Sequence, residues 1–349
     1  MPVVGEVACA HGLPLAIYWI QPATVLATYY HYFHGHDELH QLVAAAGAGG
    51  GANLRSSSSD EVIILPGLHR PLRARDMPSF FFSEEKAQDD DGLSKLVLQS
   101  MRELFQQMDD EKPVVLVNTF GALEDAALKS LKSLQPYMDD DVQVFAVGPA
   151  VPLKNDDGSG EFAQIHLFQH DETAAYMEWL DLQPERSVVY LSFGNLLGYT
   201  RRQAEEVLHG LRSTGRPYLW VVRRDGRAEA EVDDDDLCLT DAAAKGVVVE
   251  WCDQQRVLAH PSVGCFVTHC WWNSTLEAVV CGVPMVAVPS WSDQPVNAWL
   301  VEEWEVGVRA EIGARGAREV RENASGLKEK ARQAVAADGP LETRSSEIC

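Results

Sequence analysis

No apolar run in this 349-residue chain approaches the ~18–20 residues that a bilayer-spanning helix needs. The opening Met1-Pro2-Val3-Val4-Gly5-Glu6 has neither the basic leader nor the apolar stretch of a secretion signal. Basic residues are scarce, 29 against 52 acidic, and a net charge of −23 repels polyanions, so nucleic acid and acidic membranes are poor partners. Cysteine is scarce too. The seven positions 9, 238, 252, 265, 270, 281 and 349 form no CxxC pair, and an odd, scattered set points to reduced thiols in the cytoplasm, not to a disulfide scaffold. No GxGxxG turn follows any expected strand, which weighs against a nicotinamide-dependent oxidoreductase. Apolar residues, by contrast, make up 46% of the chain, enough for a sizeable core.

These apolar residues fall into short runs and helical periods in turn. The residues up to Ala10 read as the last turns of a helix, 15–20 as a buried strand, 21–42 as aromatic and helical, and 44–59 as a Gly- and Ser-rich flexible loop. Strands at 62–65, 114–117 and 142–147 follow, with helices at 93–108 and 122–134. Without hairpin signals, this alternation implies a parallel sheet wrapped on both faces. A polar stretch punctuated by Pro and Gly, 149–171, reads as a linker. Beyond it come helices at 174–181, 200–213, 254–259, 274–281 and 294–302, and strands at 188–193, 218–222, 246–251, 265–268 and 285–288. The expected fold class is α/β, two Rossmann-like doubly wound domains with a cleft between them. The domains are placed at 1–148, which opens on a helix and so reads as incomplete, and at 172–312, with a shortened tail at 313–349.

Three junctions carry chemistry, each where a strand runs out before a helix, the edge at which open parallel sheets bind ligands. In Ser192-Phe193-Gly194-Asn195 a glycine lets backbone approach a phosphate, although a plain strand-to-helix turn would read the same. In Val267 to Glu277, His269 ends a strand, Asn273-Ser274 begins a helix whose free N–H groups attract a diphosphate, and Glu277 follows on the same face, placed for ribose hydroxyls. Taken alone, that pattern is equally an N-cap beside a core histidine. In the third, Asp293 and Gln294 offer acceptors and donors suited to a hexose, or simply cap a helix. All three lie at carboxyl ends of neighbouring strands, and that coincidence favours a site.

Residues 251–294, from Trp251-Cys252-Asp253-Gln254 to Asp293-Gln294, resemble nearly residue for residue the donor box of plant UDP-dependent glycosyltransferases of family 1. The stretches AIYWIQPATVLATYYHYFHG, VLVNTFGALE and PYLWVVRR are also similar to this family, nearest its branch acting on auxin-like carboxylates and anthocyanidin hydroxyls. The resemblance implies the GT-B architecture, with an acceptor-side N-terminal domain and a C-terminal domain for the UDP-sugar. It implies that Trp251 stacks on uracil, whose edge bonds the backbone of Cys252, and that Gln254 and Glu277 hold the ribose. His269, Asn273, Ser274 and the backbone of Trp272 would hold the diphosphate, faced by Gly194 and Asn195. Asp293 and Gln294 would bond the sugar, and a closing glutamine goes with glucose.

This sequence departs from that family in three places. Trp271 stands where members carry glycine, facing the phosphates, so its indole must turn away or occupy part of the donor pocket. Asn195 replaces a serine or threonine, a milder change because an amide can still donate. The family's histidine base and its aspartate partner lie upstream of the point matching Met1, so no residue here inherits either role. Little or no transferase activity is therefore expected. His31, His34, His36 and His40 have spacing that suggests metal ligation, but Gly35 interrupts the helix and the chemistry needs no metal; the runs 89–91 and 233–236 read as solvated charge.

The expectation is thus an inverting, metal-independent glucosyltransferase using UDP-glucose as donor substrate and no cofactor. Its acceptor would be a small lipophilic hydroxyl or carboxylate compound of auxin-like or phenolic type. The chain is expected to act in the cytoplasm as a monomer. The alternative is a non-catalytic UDP-sugar-binding remnant or truncated gene product.

Overall fold

The structure is a computed structural model that describes residues 2–48, 62–66, 68, 70–82, 92–133, 143–151, 173–194, 201–222, 245–310 and 317–335. Asn195, the acidic runs at 89–91 and 233–236, the loop residues 49–59 and most of the expected linker lie outside them. The chain divides into two compact units. The first comprises Met1–Val151, Ser290–Glu303 and Glu329–Cys349, and the second Pro152–Pro289 and Trp304–Lys328.

The first unit begins with α1 (Pro2–Ala10), β1 (Ala16–Trp19), α2 (Ala23–Phe33) and α3 (Asp37–Ala48). Next come β2 (Val62–Ile63), β3 (Leu72–Arg73), α4 (Gly92–Glu111), β4 (Val114–Val117), α5 (Gly121–Ser133) and β5 (Val144–Ala146). Its sheet is parallel in the order β1-β4-β5, with Ala16 opposite Val114 and Val117 opposite Ala146. Aromatic rings fill the space over it: Tyr29 meets Trp19, Phe81 and Phe105 at centroid distances of 6.2, 5.3 and 6.3 Å. Beneath α2 the buried Glu124 carboxylate accepts from the N–H of Ala23 (3.0 Å) and Thr24 (2.9 Å) and from Thr24 Oγ1 (2.7 Å), capping that helix from a hundred residues away. Burial raises its pKa, and these donors oppose the rise.

Two expectations need correction in this unit. Residues 44–48 continue α3 and are not loop, since alanine is the strongest helix former. The segment 62–65 is not a strand of the parallel sheet. Its two strand residues pair antiparallel with β3, in the register Val62 to Arg73 and Ile63 to Leu72. Ile63 and Leu65 are buried while Val62 and Ile64 are exposed, and this alternation marks a strand covered on one face only.

The second unit holds α6 (Thr173–Asp181), β6 (Val188–Ser192), α7 (Arg201–Ser213), β7 (Tyr218–Val221), β8 (Gly246–Val249), α8 (Gln254–Leu258), β9 (Val263–Thr268), α9 (Trp272–Cys281) and β10 (Met285–Ala287). Then α10 (Gln294–Glu303) groups with the first unit, β11 (Gly307–Arg309) returns to the second, and α11 (Ala317–Val335) is shared between them. Six parallel strands run in the order β11-β10-β9-β6-β7-β8. From β6 the chain winds outward through β7 and β8, then comes back beside β6 and winds the other way through β9, β10 and β11. The winding reverses between β6 and β9, and this switch point is where doubly wound sheets open a crevice. Tyr190 of β6 and Phe266 of β9 stack at 4.9 Å beneath it, and Leu191, Leu211, Tyr218 and Trp220 form core on the α7 side. Both units are thus α/β with parallel sheets, as expected.

Strand β11 was not anticipated, being only three residues long. Helix α10 was expected with the second domain, but Trp299 Nε1 donates to the Pro71 carbonyl (3.2 Å) and Ser292 N to Ser79 Oγ (2.8 Å), tying it to the first unit.

Candidate functional site

The chain turns away at each predicted junction through a left-handed residue. After β6 it is Gly194 (φ +72°), after β9 Cys270 (φ +66°), and before α10 Ser292 (φ +61°). Only glycine adopts that conformation freely, so Cys270 and Ser292 hold strained backbone at these three turns. At Gly194 an added Cβ would lie 2.7 Å from His269 Nε2, so the turn after β6 rests directly on the imidazole.

On the α8 side of the switch point the polar side chains bond one another, with Gln255 Oε1 left buried and unpartnered. Gln254 opens α8 behind the Asp253 cap, whose carboxylate accepts from Arg256 N (3.1 Å). Gln254 Nε2 donates to Ser274 Oγ (3.0 Å) and to Glu277 Oε2, and its Oε1 accepts from the Tyr190 hydroxyl (3.1 Å). Gln255 Nε2 donates to Glu277 Oε1 at 3.3 Å. Burial raises the Glu277 pKa, its two glutamine donors lower it, and Asp253 raises it further. Cys252 is buried against Tyr190, Sγ to hydroxyl 3.3 Å, and burial pushes its thiol up to about 12. Trp251 is half-buried at the start of this segment.

On the α9 side the picture differs. His269 is 3% exposed, and neither ring nitrogen makes a well-formed hydrogen bond, the Ser192 backbone being its only polar neighbour to act on its charge. Burial lowers its pKa to about 4, against a smaller upward pull from the Ser192 backbone. The Trp271 indole lies over it at a centroid distance of 5.5 Å, tilted 42°, with Nε1 buried and unpartnered. Trp271 sits at the N-cap of α9 in ordinary extended geometry (φ −64°, ψ 145°), with no side-chain cap. Trp272 is buried, its ring 6.1 Å from Trp304, Asn273 is exposed and Ser274 half-buried.

In the first unit, Gln294 is 1% exposed. Its Oε1 accepts from Ser290 N (2.8 Å) and Trp291 N (3.0 Å), leaving Nε2 buried and unpartnered. Asp293 is buried, accepts from Asn297 Nδ2 (2.7 Å), and burial raises its pKa.

The structure therefore brings Trp251, Cys252, Gln254, Ser274 and Glu277 into one segment pair, and His269, Trp271 and Gly194 into one stack. Asp293 and Gln294 belong with the first unit. The sequence reading missed Tyr190, Gln255 and Asn297. Tyr190 carried a signal, a phenol at an inward position of a strand otherwise built from Val and Leu. The four histidines do not converge: His34 Nε2 pairs with Asp109 (3.0 Å), His40 Nε2 with the Tyr32 carbonyl (2.8 Å), and His31 faces His36 at 5.4 Å. Among the described residues no group of three His, Cys, Asp or Glu side chains is placed to hold a metal.

The family model for UDP-glucoronosyl and UDP-glucosyl transferases matches residues 159–329. Crocetin glucosyltransferase, chloroplastic, of Gardenia jasminoides is 38% identical, the alignment covering 97% of this chain and 71% of the relative. Anthocyanidin 3-O-glucoside 5-O-glucosyltransferase 1 of Perilla frutescens is also 38% identical, over 96% of this chain and 71% of its own length. The chain belongs to the UDP-glycosyltransferase family. Among solved structures, Os79 from O. sativa in complex with UDP superposes with a TM-score of 0.74 at 28% identity, covering 99% of this chain and 75% of that one. A transferase from Siraitia grosvenorii in complex with UDP gives 0.74 at 25% identity, over 99% and 75%. By family this UDP-glycosyltransferase is a hexosyltransferase with a GT-B fold, and its relatives act on small molecules using UDP-sugars.

Proposed function

We propose that the chain carries the UDP-glucose site of an inverting glucosyltransferase whose acceptor is a small lipophilic hydroxyl or carboxylate compound. The observation that carries this reading is the Gln254–Ser274–Glu277 cluster beside the β6/β9 switch point. It presents a carboxylate from the second turn of α9 and an amide from the start of α8, already oriented by each other. A ribose offers two vicinal hydroxyls, and Glu277 can accept from both. Trp251 stacks on the base and Asn273 and Ser274 meet the diphosphate at the α9 N-terminus, whose free N–H groups and dipole answer the negative charge without a metal. Displacement at the anomeric carbon then breaks its bond to the diphosphate oxygen as the acceptor oxygen attacks, UDP leaves, and the proton of a hydroxyl acceptor passes to water, a carboxylate acceptor having none to lose. The acceptor class rests on relatives named for crocetin, anthocyanidin 3-O-glucoside and phloretin. A cytoplasmic monomer suits the reading, since Cys252, Cys265, Cys270 and Cys281 are all free thiols.

A second reading, a module that binds the donor without turning it over, is favoured by one observation, the Trp271 indole on His269. Ligand-observed NMR with uridine, UDP and UDP-glucose tests the site, with adenosine as control. Uridine compounds should compete with one another and adenosine should not. Equal binding of adenosine would remove the donor assignment. Chromatographic detection of glucosylated flavonoid or indole carboxylate, formed from UDP-glucose by the purified chain, separates the two readings. Product formation would refute the second.

A further inference from the structure

At the α8 end of the switch point Gln254, Ser274, Glu277 and Tyr190 are joined by hydrogen bonds, and one buried oxygen, Gln255 Oε1, has no partner. At the β9–α9 junction three buried nitrogens lack a well-formed hydrogen bond: His269 Nδ1, His269 Nε2 and Trp271 Nε1. The His269 imidazole is enclosed on two sides. The backbone turn at Gly194 rests on it from the β6 side, close enough that a methyl group there would collide with Nε2. The Trp271 indole covers it from the α9 side. Trp271 has no backbone reason to be there or to stay, because φ −64° and ψ 145° are open to any residue and its side chain makes no cap. A half-exposed aromatic side chain on unstrained backbone reaches other rotamers rapidly. Neighbouring Asn273 is exposed and free to rearrange.

We propose that Trp271 is a cover over the diphosphate end of the donor site. In the free chain its indole seals His269 from anions, so this protein reads the uridine and gains little from the phosphates attached to it. The inference rests on the donor site proposed above and adds a ligand preference to it. The nucleoside end, built from Gln254 and Glu277, is independent of Trp271 in its hydrogen bonds. Closing one end therefore leaves the other intact.

The test compares uridine with UDP for the full chain, for Trp271→Gly and for Trp271→Phe, by ligand-observed NMR titration. The native chain should bind UDP within about threefold of uridine. Trp271→Gly should bind UDP at least about tenfold more tightly while uridine stays within about twofold, since charge-assisted bonds to a phosphate then become available. Trp271→Phe keeps the ring and loses Nε1–H, and should behave as the native chain. UDP binding far tighter than uridine in the native chain would overturn the cover. So would weaker UDP binding by Trp271→Phe, which would make the indole N–H a phosphate donor instead. Absence of uridine binding in all three chains would strike the donor site itself. Diethyl pyrocarbonate gives a readout free of nucleotides. Mass mapping should find His269 protected in the native chain and carbethoxylated in Trp271→Gly, and equal labelling would also overturn the cover.

Discussion

The two ends of the switch point contrast in how their polar groups are satisfied. At the α8 end, Gln254, Gln255, Ser274, Glu277 and Tyr190 hold one another in a chain of hydrogen bonds that leaves only Gln255 Oε1 unpaired among their buried side-chain atoms. At the β9–α9 end, His269 and Trp271 bury three nitrogens with no partner. An unsatisfied buried polar group costs about 1–3 kcal/mol, so the second arrangement, with three such nitrogens, is carried at a larger disadvantage than the first, with Gln255 Oε1 alone. The difference separates a preassembled surface, where a ligand's hydroxyls replace bonds of known direction, from a closed one, where something must move before a ligand enters. Glu124 in the first unit shows the purely structural case, a carboxylate as buried as any but fully committed to the α2 N-terminus.

That structural case sets the largest expected effect. Glu124→Ala should lower unfolding free energy by about 3 kcal/mol, because three donors lose their acceptor at once. Urea denaturation measures it, and a change below about 1 kcal/mol would mean that water replaces the carboxylate. Glu277→Ala should leave the fold intact by circular dichroism and weaken uridine binding by about 2–3 kcal/mol, roughly 30–150-fold, through two lost charge-assisted bonds. If uridine affinity is unchanged, the satisfied cluster is structural, like Glu124.

The orphaned end predicts a pH dependence. His269 has its pKa lowered from 6.5 to about 4 by burial, so between these values the unfolded chain binds a proton that the folded chain excludes. Stability from this residue is fully present above pH 6.5 and is lost as pH falls towards 4, on the order of 3 kcal/mol over the window. His269→Gln should flatten the decline. An unchanged slope in the variant would show that His269 is already solvated.

Most of this architecture was legible because its signals are local. The strands of the six-stranded sheet are short Val- and Leu-rich runs, and the turns at Gly194 and Asp293 follow them directly. The segment 62–65 misled because its four consecutive apolar residues look like a buried strand, whereas burial alternates along it. Helix α10 misled because its partner atoms, Ser79 Oγ and the Pro71 carbonyl, lie more than two hundred residues away in sequence. At the site, spacing placed His269 at a strand end and Gln254 and Glu277 on the helices that follow neighbouring strands. Whether a buried side chain finds a partner is a property of three-dimensional neighbours, and this separates Glu277 from His269.

The smallest effect is the sharpest test of the contrast. Tyr190 reaches from β6 to Gln254 Oε1, so it orients the amide whose Nε2 serves Ser274 and Glu277. Tyr190→Phe keeps the ring stacked on Phe266 and removes only the hydroxyl. A single hydrogen bond of this kind is worth about 1 kcal/mol, so uridine affinity should fall roughly fivefold while UDP and uridine keep the same ratio. A loss of that size, shared equally by uridine and UDP, would show that the α8 end acts as one preoriented unit. If affinity holds while stability falls, Tyr190 supports the fold alone, and Glu277 is then oriented sufficiently by Gln255.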